Sequence, residues 1–359
     1  MQIDGHHALT YIAARFAGFT HVKASTIAYC AQYVDDATNS GKIKFDNGAM
    51  YKRISSAHKM FDHRNLDELA NHQVWIPFHF LPGNAQLAAG KNPTGSFVNK
   101  LICKPDSPVA RDMLKACVAN YDKPYSIHRL GISMHVYADT FAHQEFAGVN
   151  HKINEAHNLS SNLKKKDKSL LKKLLNYFIS EAFPLGHGAA LDYPDQPYLV
   201  WQYKNGEKKA RLIKRNNPKI FFEAVDKMCR AMYCYRTKDY SMDLDTAPGI
   251  PAKDAIVLKK LIRSIKDSSG EVRHKKWLQE ISKGTFSFGE ANVTYKPKGV
   301  GSWKYRAIKQ KAAFDSGYET FPYDEKFLRS NWKMFHDALQ AHRFEMVHDV
   351  LPRYGICAA

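Results

Sequence analysis

The amino-acid sequence predicts a mainly α-helical protein with one small β-hairpin excursion. Apolar residues recur at i, i+3, i+4 spacing along most of the 359 positions, which is typical of amphipathic helices. The best hairpin signal is an Asn-Gly turn between two apolar stretches at 199–213. Apolar residues make up 44% of the chain, enough for a sizeable core, and the sequence has no internal repeat.

Helical periodicity predicts the elements in order along the chain. The first helix ends at Gly18, and the fifth is long and apolar. The predicted helices cover residues 8–19, 24–38, 49–60, 107–120, 125–147, 167–182, 218–236, 252–266, 273–282 and about 324–349.

Proline and glycine predict the irregular segments. Pro77 and Pro82 interrupt the apolar stretch 74–83, so we expect an extended segment or a loop there. Residues 185–197 begin with helical spacing and are stopped by prolines, and 284–304 is rich in glycine.

The formal charge of +18 indicates attraction to polyanions: an anionic lipid surface, nucleic acid or a phosphorylated substrate. Many of the cations follow residue 160. They form either a solvated basic face or a surface that docks on anionic lipid headgroups. These residues are Lys164, Lys165, Lys166, Lys168, Lys172, Lys173, Lys208, Lys209, Arg211, Lys214 and Arg215.

Neither a membrane span nor a targeting segment is predicted. No apolar run approaches the roughly 20 residues that a membrane helix needs. The first residues lack a basic start, and Asp4 and Arg15 interrupt them, unlike a signal peptide. We therefore expect a soluble protein that is cytoplasmic or exported by a signal-independent route, as an injected effector is. The six cysteines form no CxxC pair and indicate neither a disulfide framework nor a zinc finger.

The stretch HVYADTFAH, residues 135–143, carries the first chemical signal. His135, Asp139 and His143 are spaced by four residues and project from one stripe of a helix that is otherwise apolar. A lone buried histidine is usually structural, but buried imidazoles and carboxylates must be paired or coordinated. This segment therefore predicts a metal site, and its nitrogen and oxygen donors suit Zn²⁺.

Other donor-type residues occur in similarly apolar surroundings. Each alone is more simply structural, but together they are many for one core to hold without metal. They are Asp4, His6, His7, Asp35, Asp36, His58, His79, His187, Asp192 and Asp195. By contrast, His336, His342 and His348 repeat every six residues, which scatters them around a helix. We expect these three to be surface or partly buried residues and poor co-ligands.

The ordered set resembles the zinc-dependent phospholipase C and single-strand nuclease superfamily, which is all-α and holds up to three zinc ions. The strings QYVDDAT, WIPFHFLPG, HVYADTFAHQEFAG and GHGAALDYPDQP look closest to bacterial zinc metallophospholipases C, some of them exported effectors. The resemblance covers roughly residues 1–200. It implies a metal-binding catalytic helical core at 1–200, with an additional helical and irregular region at 201–359 packed on it.

The resemblance also implies a ligand set. A central metal pair, bridged by Asp139, would use His135, either Asp35 or Asp36, and either His79 or His58. A second metal would use His143, His187 and a following acid, and the third would use His6.

Three features depart from the superfamily pattern, and one is the long gap from Asp36 to His79, which leaves His58 as a rival ligand. Leu191 stands where the last acid is common, so Asp192 or Asp195 must supply it, and Asp195 shares the face of His187 only if a helix persists. The superfamily often uses a processed N-terminal amine as a ligand, and we expect Asp4 to replace it here.

The predicted activity is zinc-dependent hydrolysis of glycerophospholipids to diacylglycerol and a phosphorylated headgroup, with two or three Zn²⁺ ions. Asp139 would bridge the ions, and Asp35 or Asp36 would accept the proton of the attacking water. One alternative is a single-strand nuclease or 3′-nucleotidase, the only case in which nucleic acid is the partner. The other is a non-catalytic module, stabilised by zinc, that binds membrane or nucleic acid.

Overall fold

The computed structural model describes residues 1–57, 68–162, 186–206, 210–309 and 319–357. Across these residues the fold is mainly α-helical, as predicted. The predicted helix 167–182, His58 and the lysines at 164–173, 208 and 209 lie outside the described residues.

The α-helices of the described residues run over Thr10–Phe16 (α1), His21–Asp36 (α2), Glu68–Phe78 (α3), Val98–Leu101 (α4), Pro108–Ala119 (α5), Ser126–Ala142 (α6), Asn217–Thr237 (α7), Ala252–Ser264 (α8), Gly270–Ser282 (α9), Trp303–Ile308 (α10) and Asn331–Glu345 (α11). Two π-helical segments, Asp4–Leu9 and Met346–Val350, adjoin α1 and α11. Six α-helices of the described residues begin at a side chain that accepts the backbone N–H three residues later. These caps are Thr20, Ser107, Asn216, Ser269, Ser302 and Ser330.

The strands of the described residues form two small sheets. Strands Gly41–Phe45 (β1) and Met50–Arg53 (β2) pair antiparallel, and Thr320–Phe321 (β6) adds to β1 in parallel. The predicted helix 49–60 is therefore wrong at its start. Asn47 and Gly48, the latter at φ +86°, form a second Asn-Gly turn that favours a hairpin over helical periodicity.

The predicted hairpin at 199–213 is confirmed. Strands Val200–Asn205 (β4) and Leu212–Asn216 (β5) pair antiparallel, and Ala156–Ser161 (β3) extends this sheet on the other side of β4. In the predicted basic face, Arg211 and Lys214 are exposed, but Arg215 is buried. It donates to the carbonyl oxygens of three residues at the end of α6: Phe141, Ala142 and Gln144.

The expectation of an extended segment at 74–83 is wrong for its first half. Helix α3 continues through Pro77 and ends one residue later, at Phe78. Proline removes a hydrogen bond and clashes with the preceding turn, which is tolerated here because the helix has almost ended. His79 therefore follows directly on the end of a helix.

Helix α6 lies at the centre of the fold, and every residue from 128 to 142 on it is buried. Helices α2, α5, α7 and α11 pack against it. At Gly131 a Cβ atom would lie 2.5 Å from the Cβ of Cys30 and from the carbonyl oxygen of Ile27. Glycine thus allows α2 and α6 to approach closely, which brings the end of α2 beside the 135–143 stripe.

The region after residue 200 shares the core of the region before it. The largest hydrophobic cluster contains buried residues from both, and α9 packs directly on the π-helix Asp4–Leu9. The division of the chain at residue 200 stays a prediction. No helix among the described residues is long and apolar enough to cross a bilayer.

Candidate metal centre

The site is arranged around Asp139, which is 1% exposed on α6. Its Oδ1 lies 3.2 Å from Nε2 of His6. Its Oδ2 lies 3.3 Å from Nε2 of His135 and 3.5 Å from Nδ1 of His79. Three imidazoles from three separate segments of the chain therefore converge on one buried carboxylate.

Backbone carbonyls fix the orientation of four histidines. A carbonyl oxygen only accepts, so the ring nitrogen that contacts it carries the hydrogen, and the other nitrogen presents a lone pair. The contacts are His79 Nε2 to Ser56 O (2.8 Å), His135 Nδ1 to Ala31 O (2.7 Å), His143 Nδ1 to His79 O (2.8 Å) and His187 Nδ1 to Leu191 O (3.0 Å). In each ring, the nitrogen left for coordination lies within 3.8 Å of a carboxylate oxygen of Asp139 or Asp195.

These donors form three groups, each with its ligand atoms within 4.8 Å of one another. The groups are His6, Asp35 and His135; His79, His135 and Asp139; and His143, His187 and Asp195. His135 belongs to two of them, so the first two groups adjoin. The described residues therefore contain buried His/Asp groups positioned to hold metal.

The electrostatics of the site favour a cation. Burial lowers the pKa of His6, His135 and His143 to about 4, so these rings are neutral near pH 7 and their lone pairs are available. Neither ring nitrogen of His6 makes a hydrogen bond among the described residues, and neither do Asp139 Oδ2 and Asp195 Oδ1. Buried polar atoms without partners are costly, and divalent ions would satisfy the two carboxylate oxygens and the one nitrogen of His6 that carries a lone pair.

Asp195 reaches the site by a route that the sequence did not predict. No helix persists after His187. Two short 3₁₀ turns, Gly188–Ala190 and Tyr193–Asp195, flank Leu191, whose φ of +56° reverses the chain. The carboxylate of Asp195 then lies 3.7 Å from Nε2 of His187 and 3.8 Å from Nε2 of His143. Asp192 precedes the second turn and joins none of the three groups.

The two acids at the end of α2 have different surroundings. Oδ1 of Asp35 lies 3.8 Å from both His79 Nδ1 and His135 Nε2, and its side chain is one-third exposed. Asp36 instead accepts hydrogen bonds from Tyr295 Oη at 2.6 Å and from Gln32 Nε2 at 3.3 Å, and it joins no donor group. Of this pair, Asp35 is the acid that faces both the histidines and solvent.

Asp4 does not lie among the donors. Its carboxylate forms a buried ion pair with Arg273 of α9, with Nε of the arginine at 2.6 Å from Oδ2. The α-amino nitrogen of Met1 lies among them instead, 2.5 Å from Oδ1 of Asp139 and 3.4 Å from Oδ1 of Asp195. Burial alone would lower the pKa of this amino group, but the two carboxylates raise it to about 10.

The histidines near the C-terminus are not members of the three donor groups. His336 and His342 are buried, so the expectation of surface or partly buried positions is wrong for both, while His348 is exposed. Nε2 of His342 donates to the carbonyl oxygen of Pro77 at 3.0 Å. Neither buried ring joins a donor group.

Sequence reasoning missed the residues after position 200 that support the site. Arg273 holds Asp4, His274 Nε2 lies 2.9 Å from Nδ1 of His7, and Tyr295 holds Asp36. One signal was present in the sequence. Arg273 shares the i, i+4, i+8 stripe of α9 with Trp277 and Ile281, which places a charge on an apolar face.

Comparison with known proteins gives one match. A family model described as a family of unknown function (DUF6765) matches residues 1–350. The chain belongs to this family. The DUF6765 match includes every donor of the three groups and also α7 to α11, so it covers the helices that support the site as well as the site itself. The comparisons with curated proteins and with solved structures gave no match.

Proposed function

We propose that this protein is a zinc-dependent phosphodiester hydrolase of the phospholipase C type. One observation carries the proposal. Four histidines, each fixed by a backbone carbonyl, turn their other nitrogen towards the buried carboxylates of Asp139 and Asp195.

The donor set fits zinc. Imidazole nitrogens and carboxylate oxygens are ligands that Zn²⁺ binds readily, and no cysteine takes part in the three groups. Two adjoining groups share His135, and the third lies around Asp195, so two or three ions are proposed. Asp139 contacts donors of the first two groups and would bridge their ions.

Divalent ions bound there would lower the pKa of their bound water towards neutrality, which supplies hydroxide near pH 7. They would also neutralise charge that develops on phosphoryl oxygens. The protein's own groups supply the rest. Asp35 is open to solvent on one side and faces His79 and His135 on the other, so it is placed to accept a proton from entering water. Asp36 is held by Tyr295 and Gln32 and is less free to do so.

The choice of a phospholipid substrate rests on the resemblance of the four donor strings to bacterial phospholipases C and on the charge of +18. Exposed cations such as Arg211 and Lys214 would contact anionic headgroups at a membrane surface. The proposed all-α superfamily fold is consistent with the central helix α6, which carries His135 and Asp139, packed against α2, which carries Asp35.

The test is metal analysis followed by two assays on the zinc-loaded protein. One measures phosphocholine released from phosphatidylcholine vesicles, and the other measures acid-soluble nucleotides released from single-stranded DNA. We expect two or three zinc ions and lipid hydrolysis that Asp139→Asn abolishes and Asp192→Asn preserves.

Three results would contradict the proposal. Hydrolysis of DNA alone would identify the nuclease instead. A single tightly bound ion without hydrolysis would identify a structural zinc module. Equal activity in metal-free and zinc-loaded protein would exclude metal-dependent catalysis.

A further inference from the structure

One buried arginine joins two segments that carry metal donors. Arg273, on α9, is fully buried and contacts both the N-terminal segment that includes His6 and the turn that ends at Asp195. These two segments are nearly 190 positions apart in the chain, and each supplies a donor to a different group. Their relative placement therefore depends on what holds them together.

The guanidinium of Arg273 is engaged at all three nitrogens. Nε and Nη2 donate to the two carboxylate oxygens of Asp4, at 2.6 Å and 3.0 Å. Nη2 also donates to Oε1 of Gln2 at 2.8 Å and to the carbonyl oxygen of Asp195 at 3.2 Å. Nη1 donates to the carbonyl oxygen of Asp267, which precedes α9, at 2.7 Å.

Stability alone does not explain a buried charge pair of this kind. The desolvation of two ions offsets much of their attraction, and hydrophobic replacements are often as stable. A planar guanidinium that grips a carboxylate with two parallel bonds does, however, fix the orientation of what it holds. Here it fixes Asp4, two residues before His6, and the backbone of Asp195 itself.

We propose that Arg273 is a positioning residue that sets the distance between His6 and Asp195, and so assembles two of the three donor groups. This inference rests on the proposed metal centre. It gives the region after residue 200 a specific role, because α9 fixes the position of the N-terminal segment relative to the turn that ends at Asp195. The group of His79, His135 and Asp139 comes from α6 and from the residue that follows α3, and it makes no hydrogen bond with Arg273 among the described residues.

The proposal predicts a selective loss of metal. Arg273→Lys keeps the positive charge but loses the pair of parallel N–H donors that grip the carboxylate. Asp4→Asn keeps the side-chain shape but loses the negative charge. Both should weaken zinc binding about 10–100-fold at the groups that contain His6 and Asp195, as is typical when a supporting contact is removed. The group of His79, His135 and Asp139 should keep its ion. The double variant should lose no more than either single variant, because both break one interaction.

Arg230→Lys is the matched control. Arg230 makes a partly exposed helical ion pair with Asp226 at 2.7 Å, and its hydrogen-bond partners include no donor of the three groups. Zinc equivalents retained after dialysis, affinities from competition titration and the visible spectrum of the Co²⁺-substituted protein would be measured for all variants. We expect the spectrum of Arg230→Lys to match the original and that of Arg273→Lys to lose the bands of the missing sites.

A purely structural role would give a different result. It would lower the melting temperature of the metal-free protein while the number and affinity of bound ions stayed unchanged in the folded fraction, and this would overturn the proposal. If Arg273→Lys does not fold, Asp4→Asn gives the same comparison. Metal binding without diester hydrolysis would contradict the proposed function and leave the positioning role standing. Wild-type metal affinity in both variants would contradict the positioning role alone.

Discussion

Helices α6 and α11 both carry buried histidines, and of these two helices only α6 supplies side chains to the three donor groups. Along α6, His135 is buried with Asp139 one turn later, and His143 follows directly after the helix end. Along α11, His336 and His342 are equally buried. Burial lowers the pKa of His135 and His143 to about 4 and that of the α11 pair to about 3. Burial and a lowered pKa therefore do not distinguish a metal ligand from a structural histidine.

The difference lies in the neighbours. His135 and His143 face carboxylates, whereas the nearby charges that further lower the pKa of His336 are the cations Arg53 and Lys304. Nδ1 of both His336 and His342 is without a hydrogen bond among the described residues, as are both ring nitrogens of His6. An unpartnered imidazole nitrogen thus indicates a metal site only where carboxylates complete the set.

The largest expected effect comes from removing the central carboxylate of α6. Asp139→Asn keeps the volume but removes the charge on which three imidazoles converge, so we expect zinc content to fall by at least one ion and lipid hydrolysis to fall by at least about 1,000-fold. Metal analysis and phosphocholine release measure both. Asp337→Asn on α11 is the control, since Asp337 pairs with Lys333 and Tyr51 outside the site. Equal losses in the two variants would contradict the comparison.

Histidine substitutions on the two helices should separate metal binding from stability. His135→Ala should weaken zinc binding about 10–100-fold, because the ring is shared by two donor groups. His342→Ala should leave zinc affinity unchanged and lower the free energy of unfolding by about 1–3 kcal/mol, through the lost hydrogen bond to Pro77 and the cavity left behind. Competition titration and urea unfolding would test this pair, and a loss of zinc in His342→Ala would break the distinction.

The packing of α6 on α2 offers a smaller effect. Gly131→Ala adds a Cβ only 2.5 Å from Ile27 O and Cys30 Cβ, so α2 must move away. We expect the free energy of unfolding to fall by about 1–3 kcal/mol and zinc binding to weaken at the group that contains Asp35 of α2. Val22→Ala, on the exposed face of α2, should change neither by more than about 0.5 kcal/mol. Unchanged urea unfolding of Gly131→Ala would show that stability does not depend on the close packing of α6 against α2.

The last prediction concerns the pH dependence of stability that His336 of α11 confers. The pKa of His336 is about 3 in the folded protein and about 6.5 in the unfolded chain, so only the unfolded chain takes up the proton between these values. The contribution of the neutral His336 ring to the free energy of unfolding is fully present above pH 6.5 and is lost as the pH drops towards 3. In His336→Phe the slope of the free energy of unfolding against pH should decrease by up to about 1.4 kcal/mol per pH unit. An unchanged slope in urea unfolding between pH 4 and 7 would contradict a neutral buried ring.

The parts of the site that were predictable depend on local spacing. His135, Asp139 and His143 could be grouped because four-residue spacing places side chains on one stripe of a helix. Asp195 was named for a different reason from the one that holds, since two 3₁₀ turns rather than a helix bring it to His187. A short-range pattern can thus identify a donor without predicting its path.

The parts that were missed depend on contacts between distant segments. Asp4 was expected to be a ligand because it could replace an N-terminal amine, but its carboxylate pairs with Arg273, which lies 269 positions later. The first strand pair was missed because helical periodicity at 49–60 was given more weight than Asn47 and Gly48. Pairing between distant segments and competition between local signals limit what can be predicted from the sequence. Hydrophobic periodicity alone resolves neither.

Anomalous diffraction at the zinc edge from crystals of the zinc-loaded protein tests the central claim most directly. We expect two or three peaks: one or two beside His135 and Asp139, and one between His187 and Asp195. No peak within coordination distance of these four side chains, or a single peak elsewhere on the molecule, would contradict a shared metal centre.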